Sequence, residues 1–323
     1  MRAPMFWDAD TPSPLPRLLT PVSALYGAVA ARRMADAGEH ADVPVICIGN
    51  FTAGGAGKTP AVLAVARALT EAGERPFFLS RGYGRRLAGP VRVSPEHRAE
   101  EVGDEPLLLA REAPAIVSRD RPAGARLAVE QGASAIVMDD GLQNPSLHKD
   151  LSIAVVDGFA GLGNGRVIPA GPLRAPMDAQ WPRVRALAVV GSGAAGEAVA
   201  REAAARGVPA LRARLVPDAA IAARLKGVGV LALSGIARPE KFAESLGACL
   251  AHVEEVRIFP DHHVFTSREL AQVGADAARR RLTVVTTEKD AARIGRTDFI
   301  VLPIRFVPDD AVAFRTLVLS ALG

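Results

Sequence analysis

The chain has 323 residues, of which 49% are hydrophobic and 23% charged, which excludes a disordered or fibrous protein and leaves room for two lobes that each bury a core. A net charge of +4 permits anionic partners without selecting one, and only two tyrosines and two tryptophans are present to stack on bases, so no nucleic-acid partner is expected. Cys47 and Cys249 are the only cysteines, which excludes a disulfide framework and suits a reducing compartment.

The N-terminus lacks the basic, apolar and small-residue order of a signal peptide, and no 18 apolar residues run together, so no transmembrane helix is expected. Between Pro16 and Ala35, Leu18, Leu19, Val22, Leu25, Tyr26, Val29 and Ala30 recur at helical spacing and Arg32 and Arg33 follow. This predicts an amphipathic helix whose apolar stripe suits either the body of the protein or a membrane surface. Trp7, just upstream, is compatible with both.

Val45 to Ile48 form an apolar run that needs no polar alternation if the strand is buried on both faces. It leads into Gly49-Asn50-Phe51-Thr52-Ala53-Gly54-Gly55-Ala56-Gly57-Lys58-Thr59-Pro60, and an alanine-rich helical pattern follows from Ala61 to Glu71. Strand, glycine loop and helix in that order make a phosphate loop. Glycine backbone approaches phosphate oxygens, Lys58 reaches the β- and γ-phosphates, and the Thr59 hydroxyl holds Mg²⁺. The pattern G-x-x-x-x-G-K-[ST] places glycine where this chain has Thr52.

Phe77 to Ser80 predict a second strand, ending in Arg81-Gly82-Tyr83-Gly84-Arg85-Arg86 at the edge where open α/β sheets bind ligands. Asp104-Glu105-Pro106 opens the next helix; acidic residues there are ordinary first-turn choices. A strand at Ala115 to Ser118 is followed by Arg119-Asp120-Arg121 and a helix from Ala123 to Gln131. Ala135 to Met138 then run into Asp139-Asp140, an apolar strand ending in aspartate, as needed to place Mg²⁺ opposite the loop threonine. A strand at Leu151 to Asp157 precedes a proline- and glycine-rich loop from Ile168 to Pro176, and strand and helix resume at Arg185 to Val190 and Ala195 to Ala205. Alternation at this interval predicts an α/β, doubly wound, mostly parallel sheet.

The pattern restarts near Lys226, with strands at Val230 to Ile236, Val253 to Phe259, Leu282 to Thr287 and Phe299 to Ile304 and helices at Pro239 to Leu246 and Ser267 to Ala278. This predicts a second, smaller α/β lobe. Its proline-bounded loop Phe259 to Thr266 carries Asp261-His262-His263, a cluster suited to orienting or transferring a proton near neutral pH. Thr287-Glu288-Lys289-Asp290 has the wrong spacing for a guanine reader, which favours an adenine nucleotide.

Taken in order, GNFTAGGAGKTP at Gly49 to Pro60, SRGYGR at Ser80 to Arg85, VGDEP at Val102 to Pro106, DDGLQN at Asp139 to Asn144, GPLR at Gly171 to Arg174, FPDHH at Phe259 to His263 and TTEKD at Thr286 to Asp290 resemble the tetraacyldisaccharide 4′-kinase family across nearly the whole chain. The family's loop also carries threonine at the position of Thr52.

The resemblance implies ATP- and Mg²⁺-dependent transfer of the γ-phosphoryl group to the 4′-hydroxyl of an acylated disaccharide 1-phosphate in lipid A biosynthesis. It implies peripheral association with the cytoplasmic face of the inner membrane and no obligate protein partner. By motif, Thr52, Ala53, Gly54, Gly55, Ala56, Gly57, Lys58 and Thr59 bind the nucleotide, and Thr59, Asp139 and Asp140 serve the metal. Asp104 acts as base with His262 as partner. Arg81, Arg121 and Arg174 are candidates for the substrate phosphate or the transferring group. The implied division is a phosphate-loop domain over 1–218, including the N-terminal helix, and a smaller lobe over 219–323 that closes over the site. One departure stands in the GPLR segment, where Ala175 replaces the family's usual glutamate. The competing reading, a membrane-associated ATPase switch of the partitioning type, calls for a second loop lysine where this chain has Ala53.

Overall fold

A computed structural model describes residues 4–8, 13–236, 239–295 and 298–323. The strands are β1 (Val45–Gly49), β2 (Pro76–Ser80), β3 (Val91–Arg92), β4 (Ala115–Val117), β5 (Ala135–Asp139), β6 (Leu151–Asp157), β7 (Ala186–Val190), β8 (Ala210–Pro217), β9 (Gly229–Ser234), β10 (His252–Ile258), β11 (Thr283–Thr287), β12 (Ile300–Leu302) and β13 (Ile304–Pro308). The helices are α1 (Leu15–Leu18), α2 (Thr20–Met34), α3 (Lys58–Glu71), α4 (Ala99–Val102), α5 (Asp104–Leu109), α6 (Arg121–Glu130), α7 (Met177–Gln180), α8 (Ala194–Ala205), α9 (Ala219–Leu225), α10 (Pro239–Ala248), α11 (Ser267–Arg279), α12 (Glu288–Ile294) and α13 (Ala311–Leu319).

Nine strands form one sheet in the order β13-β8-β7-β6-β1-β5-β2-β4-β3, and four form a second in the order β10-β9-β11-β12. The second sheet is parallel throughout, and the first is parallel except where β13 meets β8 and β3 meets β4. Strand β1 explains the apolar run read in the sequence. Ile46 and Ile48 join the core beneath α3, while Val45 and Cys47 face the opposite core with Ala125 and Ala128 of α6. Both faces are covered, so alternation is absent. Because β1 lies between β5 and β6, its C-terminal end opens at the point where strand order reverses, and the phosphate loop starts there.

The end of the chain departs from the predicted division at 218/219. The segment read as one strand over Phe299 to Ile304 is two strands in two sheets: β12 pairs with β11, and β13 pairs antiparallel with β8 of the large sheet. Pro303 separates them, since it has no N–H to continue the ladder. Phe306, Phe314 and Val318 then enter the core that α3 covers. Strand β8 carries arginine on alternate residues at Arg212 and Arg214 and was not read from the sequence; it lies one strand in from the edge, between β13 and β7, and the two arginines pair with Glu197 and Asp309. The two crossings between the sheets touch, because the Asp218 N–H donates to the Pro303 carbonyl at 2.9 Å.

The N-terminal helix is broken at Leu19 and its faces are arranged opposite to a core-packed helix. Pro16, Ser23, Gly27 and Met34 are its buried residues, whereas Leu18 is 72% exposed and Val22, Leu25, Tyr26 and Val29 are also exposed. Ser23 Oγ donates to the Val167 carbonyl at 2.6 Å, and a side chain at Gly27 would press on Pro176. Small residues therefore set the close approach to the loop over 167–176. Trp7 belongs to the same junction, its Nε1 donating to the Pro169 carbonyl at 3.1 Å.

Candidate active site

The phosphate loop leaves β1 at Asn50, whose Nδ2 donates to the Gly54 carbonyl at 3.2 Å and closes the curve. Gly54 and Gly57 have φ of 126° and 86°, in the region that disfavours a Cβ. At Gly55 a Cβ would meet no protein atom within 4 Å, so internal packing does not call for glycine there. Thr52 has another task. It forms an isolated antiparallel bridge with Leu173, and the Ala53 N–H donates to the Pro172 carbonyl at 2.7 Å. The GPLR segment thus zips along the loop in extended backbone, which threonine adopts without strain.

Lys58 and Thr59 open α3, both largely buried. Burial lowers the Lys58 pKa despite the attraction of Asp140, whose Oδ1 lies 3.8 Å from the ammonium. The same Oδ1 accepts from Arg174 at 2.8 Å, and Arg174 Nε donates to the Thr52 carbonyl at 3.1 Å. Arg174 therefore joins the loop to the end of β5, with Asp140 held at a φ of 55°. Arg121 lies inside the fold, donating to the Ser118 carbonyl at 2.7 Å; burial lowers its pKa to about 10 against the pull of Asp139, and its Nε has no partner. Arg81 is exposed at the C-terminal edge of β2.

Asp139 ends β5 beside Ile48 of β1 and is buried. Burial, with the charges of Glu105 and Asp140 adding to it, pushes its pKa up to about 7, a condition that a bound cation relieves. Among the described residues no group of three or more His, Cys, Asp or Glu side chains forms a metal cage. Mg²⁺ in a nucleotide site takes one or two carboxylates plus phosphates and water, so Asp139, Thr59 and Asp140 are a donor set of the right kind.

The opposing side of the site is built where α5, on the large sheet, meets elements of the second sheet. Asp104, at the start of α5, is 4% exposed and faces α12 and the loop after β10. His262 Nδ1 stands 3.2 Å from Asp104 Oδ2, and its backbone sits at a φ of 59°, a conformation a histidine keeps only when its surroundings hold it. Burial raises the Asp104 pKa, but the His262 hydrogen bond and the Arg293 charge outweigh it and hold the carboxyl well below the usual carboxylate range. His263, by contrast, turns to Glu269 at 3.1 Å and belongs to the capping of α11. Lys289 of α12 donates to Glu105 Oε1 at 2.7 Å, and its charge is felt by Lys58 as well. The two halves of the site are therefore within electrostatic reach of each other.

Sequence reasoning assigned no task to Lys289, Asp290 or Arg293, nor to Gln143, which donates to the Asn50 carbonyl at 2.8 Å and so braces the start of the loop. The available signal was the TTEKD word and its four-residue step from Lys289 to Arg293, which puts both cations on one helix face.

The Asp104–His262 pair carries a stability signature. The His262 pKa is raised by its hydrogen bond to Asp104, so its contribution is complete below the unfolded value near ~6.5 and is lost as pH rises through the higher folded value. We expect the unaltered chain to exceed His262→Asn in thermal stability by more at pH 5.5 than at pH 9, by less than about 1 kcal/mol because the ring is half-exposed. Equal differences at both pH values would dissociate His262 from Asp104.

Residues 15–323 match the family model described as tetraacyldisaccharide-1-P 4′-kinase. The chain is 58% identical over 326 residues to the tetraacyldisaccharide 4′-kinase of Methylobacterium sp. (strain 4-46), covering 100% of this chain and 98% of that one. It is 52% identical over 332 residues to that of Bradyrhizobium sp. (strain BTAi1), covering 100% and 96%. A crystal structure of LpxK from Aquifex aeolicus in complex with ATP matches at a TM-score of 0.74 and 25% identity, over 96% of this chain and 100% of that one. With the phosphate loop, the aspartates of β5 and the Asp104–His262 pair in the order read from its motifs, this chain belongs to the tetraacyldisaccharide 4′-kinase family.

Proposed function

We propose that this protein transfers the γ-phosphoryl group of ATP to the 4′-hydroxyl of a tetraacylated disaccharide 1-phosphate, at the cytoplasmic face of the inner membrane. The observation that carries the reading is the meeting of the two sheets at one site: a phosphate loop with Lys58 and Asp139 and a buried carboxylate, Asp104, stand on the large-sheet side, and His262 from the loop after β10 orients that carboxylate.

Phosphoryl transfer depends on positioning and charge neutralisation more than on covalent help. Backbone N–H groups of the loop and Lys58 cradle the β- and γ-phosphates. Mg²⁺, held by Thr59 and Asp139 with Asp140 beside them, would neutralise phosphate charge when bound. Asp104 accepts the acceptor hydroxyl's proton as the new O–P bond forms. A carboxylate with a depressed pKa is a weak base, which suits late proton transfer in a loose transition state. Arg174 and Arg81 supply guanidinium donors at the loop and at the neighbouring strand end.

Incubation of the purified protein with labelled ATP and tetraacyl disaccharide 1-phosphate in detergent should yield a bisphosphorylated lipid; absence of product would remove the reading. The ATPase-switch reading is not favoured, because a switch needs no buried acceptor-side base and the full-length relatives are named as kinases.

Membrane association is supported by the outward stripe Leu18, Val22, Leu25, Tyr26 and Val29, flanked by exposed Arg17, Arg32 and Arg33. No helix among the described residues is long and apolar enough to cross a membrane. Burying Val22 and Leu25 in an interface contributes about 1.5 kcal/mol each, so Val22→Glu/Leu25→Glu should weaken binding to anionic vesicles about hundredfold. ATP affinity should not change. Unaltered sedimentation with vesicles would reject this surface.

A further inference from the structure

We propose that Arg293 is a positioning residue for the transfer step: it fixes the Asp104 carboxylate so that Oδ1 is the oxygen that takes the acceptor hydroxyl's proton. The inference rests on the kinase reading above and adds a residue and an atom to it.

The guanidinium is held from behind by its own lobe. Thr287 caps α12 by accepting from the Asp290 N–H at 3.1 Å and donates its hydroxyl to Asp290 Oδ2 at 2.8 Å. Asp290, fully buried, also accepts from the Gly235 N–H at 3.0 Å. Arg293 Nη1 donates to Asp290 Oδ1 at 2.9 Å and to the Gly235 carbonyl at 2.7 Å. These bonds fix the plane of the fork before it meets Asp104.

Its forward edge then engages one carboxylate oxygen. Arg293 Nε donates to Asp104 Oδ2 at 2.8 Å, Nη2 donates to the same oxygen, and His262 Nδ1 is 3.2 Å from it. Oδ1 makes no hydrogen bond among the described residues. Three donors on one oxygen and none on the other is an unusual use of an arginine fork, which ordinarily pairs its two N–H groups with both oxygens. The consequence is directional. Oδ2 has no lone pair to spare, rotation of the carboxylate is blocked, and Oδ1 alone remains to accept a proton.

In the step, the acceptor O–H bond breaks, its oxygen forms a bond to the γ-phosphorus, and the bond from that phosphorus to the ADP oxygen breaks. The proton passes to Asp104 Oδ1 and then to water as products leave. The charged groups around this carboxylate are Arg293 and Lys289 of α12, with Asp290 behind them, Glu105 on its own helix, and His262 with Asp261 from the loop after β10. Because Arg293 belongs to the smaller lobe and Asp104 to the larger, the base is oriented only while the lobes are in contact.

The test compares Arg293→Met and Arg293→Lys with the unaltered protein. In Arg293→Met we expect kcat to fall about hundredfold, KM for ATP to stay within about threefold, and the acid limb of the kcat profile to move to higher pH as the carboxylate loses its cation. Arg293→Lys, which keeps the charge without the fork, should restore the acid limb and only part of kcat. A ¹³C NMR titration of the Asp104 carboxyl, assigned by its loss in Asp104→Asn, gives a readout free of turnover: the midpoint rises in Arg293→Met. Full kcat in Arg293→Met, or a lowered kcat with an unmoved limb and midpoint, overturns the assignment and leaves Arg293 as an inter-lobe ion pair. Failure of the unaltered protein to phosphorylate the acceptor instead removes the kinase reading, while the NMR midpoint still decides whether Arg293 governs Asp104.

Discussion

Asp104→Asn should lower kcat by about 10²- to 10⁴-fold, the range for a positioned general base. The side chain keeps its shape but cannot take a proton, and ATP contacts on the loop are untouched, so the affinity for ATP should stay near that of the unaltered chain. Because Asp104 is buried against Arg293 and His262, its replacement also removes a charge from an inter-lobe pair, and thermal unfolding must be measured beside turnover. A stably folded variant retaining more than about a tenth of kcat would show that the carboxylate is structural. The contrast with Ala at the same position is informative: a cavity would add destabilisation that Asn avoids.

The second large effect is expected at Lys58. Lys58→Met should reduce kcat/KM by about 10²- to 10³-fold, as when one preorganised electrostatic donor is lost, and should weaken ATP binding measured by calorimetry. The fold should persist, since Asp140 keeps its 2.8 Å partner Arg174 and the loop keeps its bridge at Thr52. A variant that binds and turns over ATP normally would mean that Arg174 or Lys289 supplies the charge at the γ-phosphate instead.

The nucleotide half of the site was legible because it is local. An apolar strand, glycines with positive φ and Lys58-Thr59 at a helix start all lie within a short stretch, and their geometry follows from backbone sterics. Asp139 was legible for the same reason, as the polar end of a strand buried on both faces. Asp104 was not. By its residues alone it is a first-turn acid, and what distinguishes it is the approach of His262 and of Arg293, 189 positions along the chain. The ordered motifs pointed to its role through family resemblance, without a geometric reason. Arg293 was silent altogether, because an arginine in the last turn of a short helix is ordinary until its partners are seen.

Thr52 and the N-terminal helix show the same limit. Sequence spacing placed an apolar stripe on 16–35 but could not say which way it faces; Ser23 and Gly27 decide that, since only small side chains let the helix approach the loop over 167–176 and so turn the large ones outward. Thr52 replaces a loop glycine because its backbone is extended against Leu173, a pairing made by residues far along the chain.

The sequence by itself determined the α/β class, the phosphate loop and most strands, because hydrophobic period, glycine conformational freedom and strand-end acids are properties of neighbouring residues. Only the tertiary structure decided that β13 and α13 return to the large sheet, that α2 faces outward, and that Asp104, His262 and Arg293 form one unit. Those outcomes depend on which surfaces meet after the chain has folded, and a buried carboxylate acquires its charge state and its free oxygen from whatever meets it there.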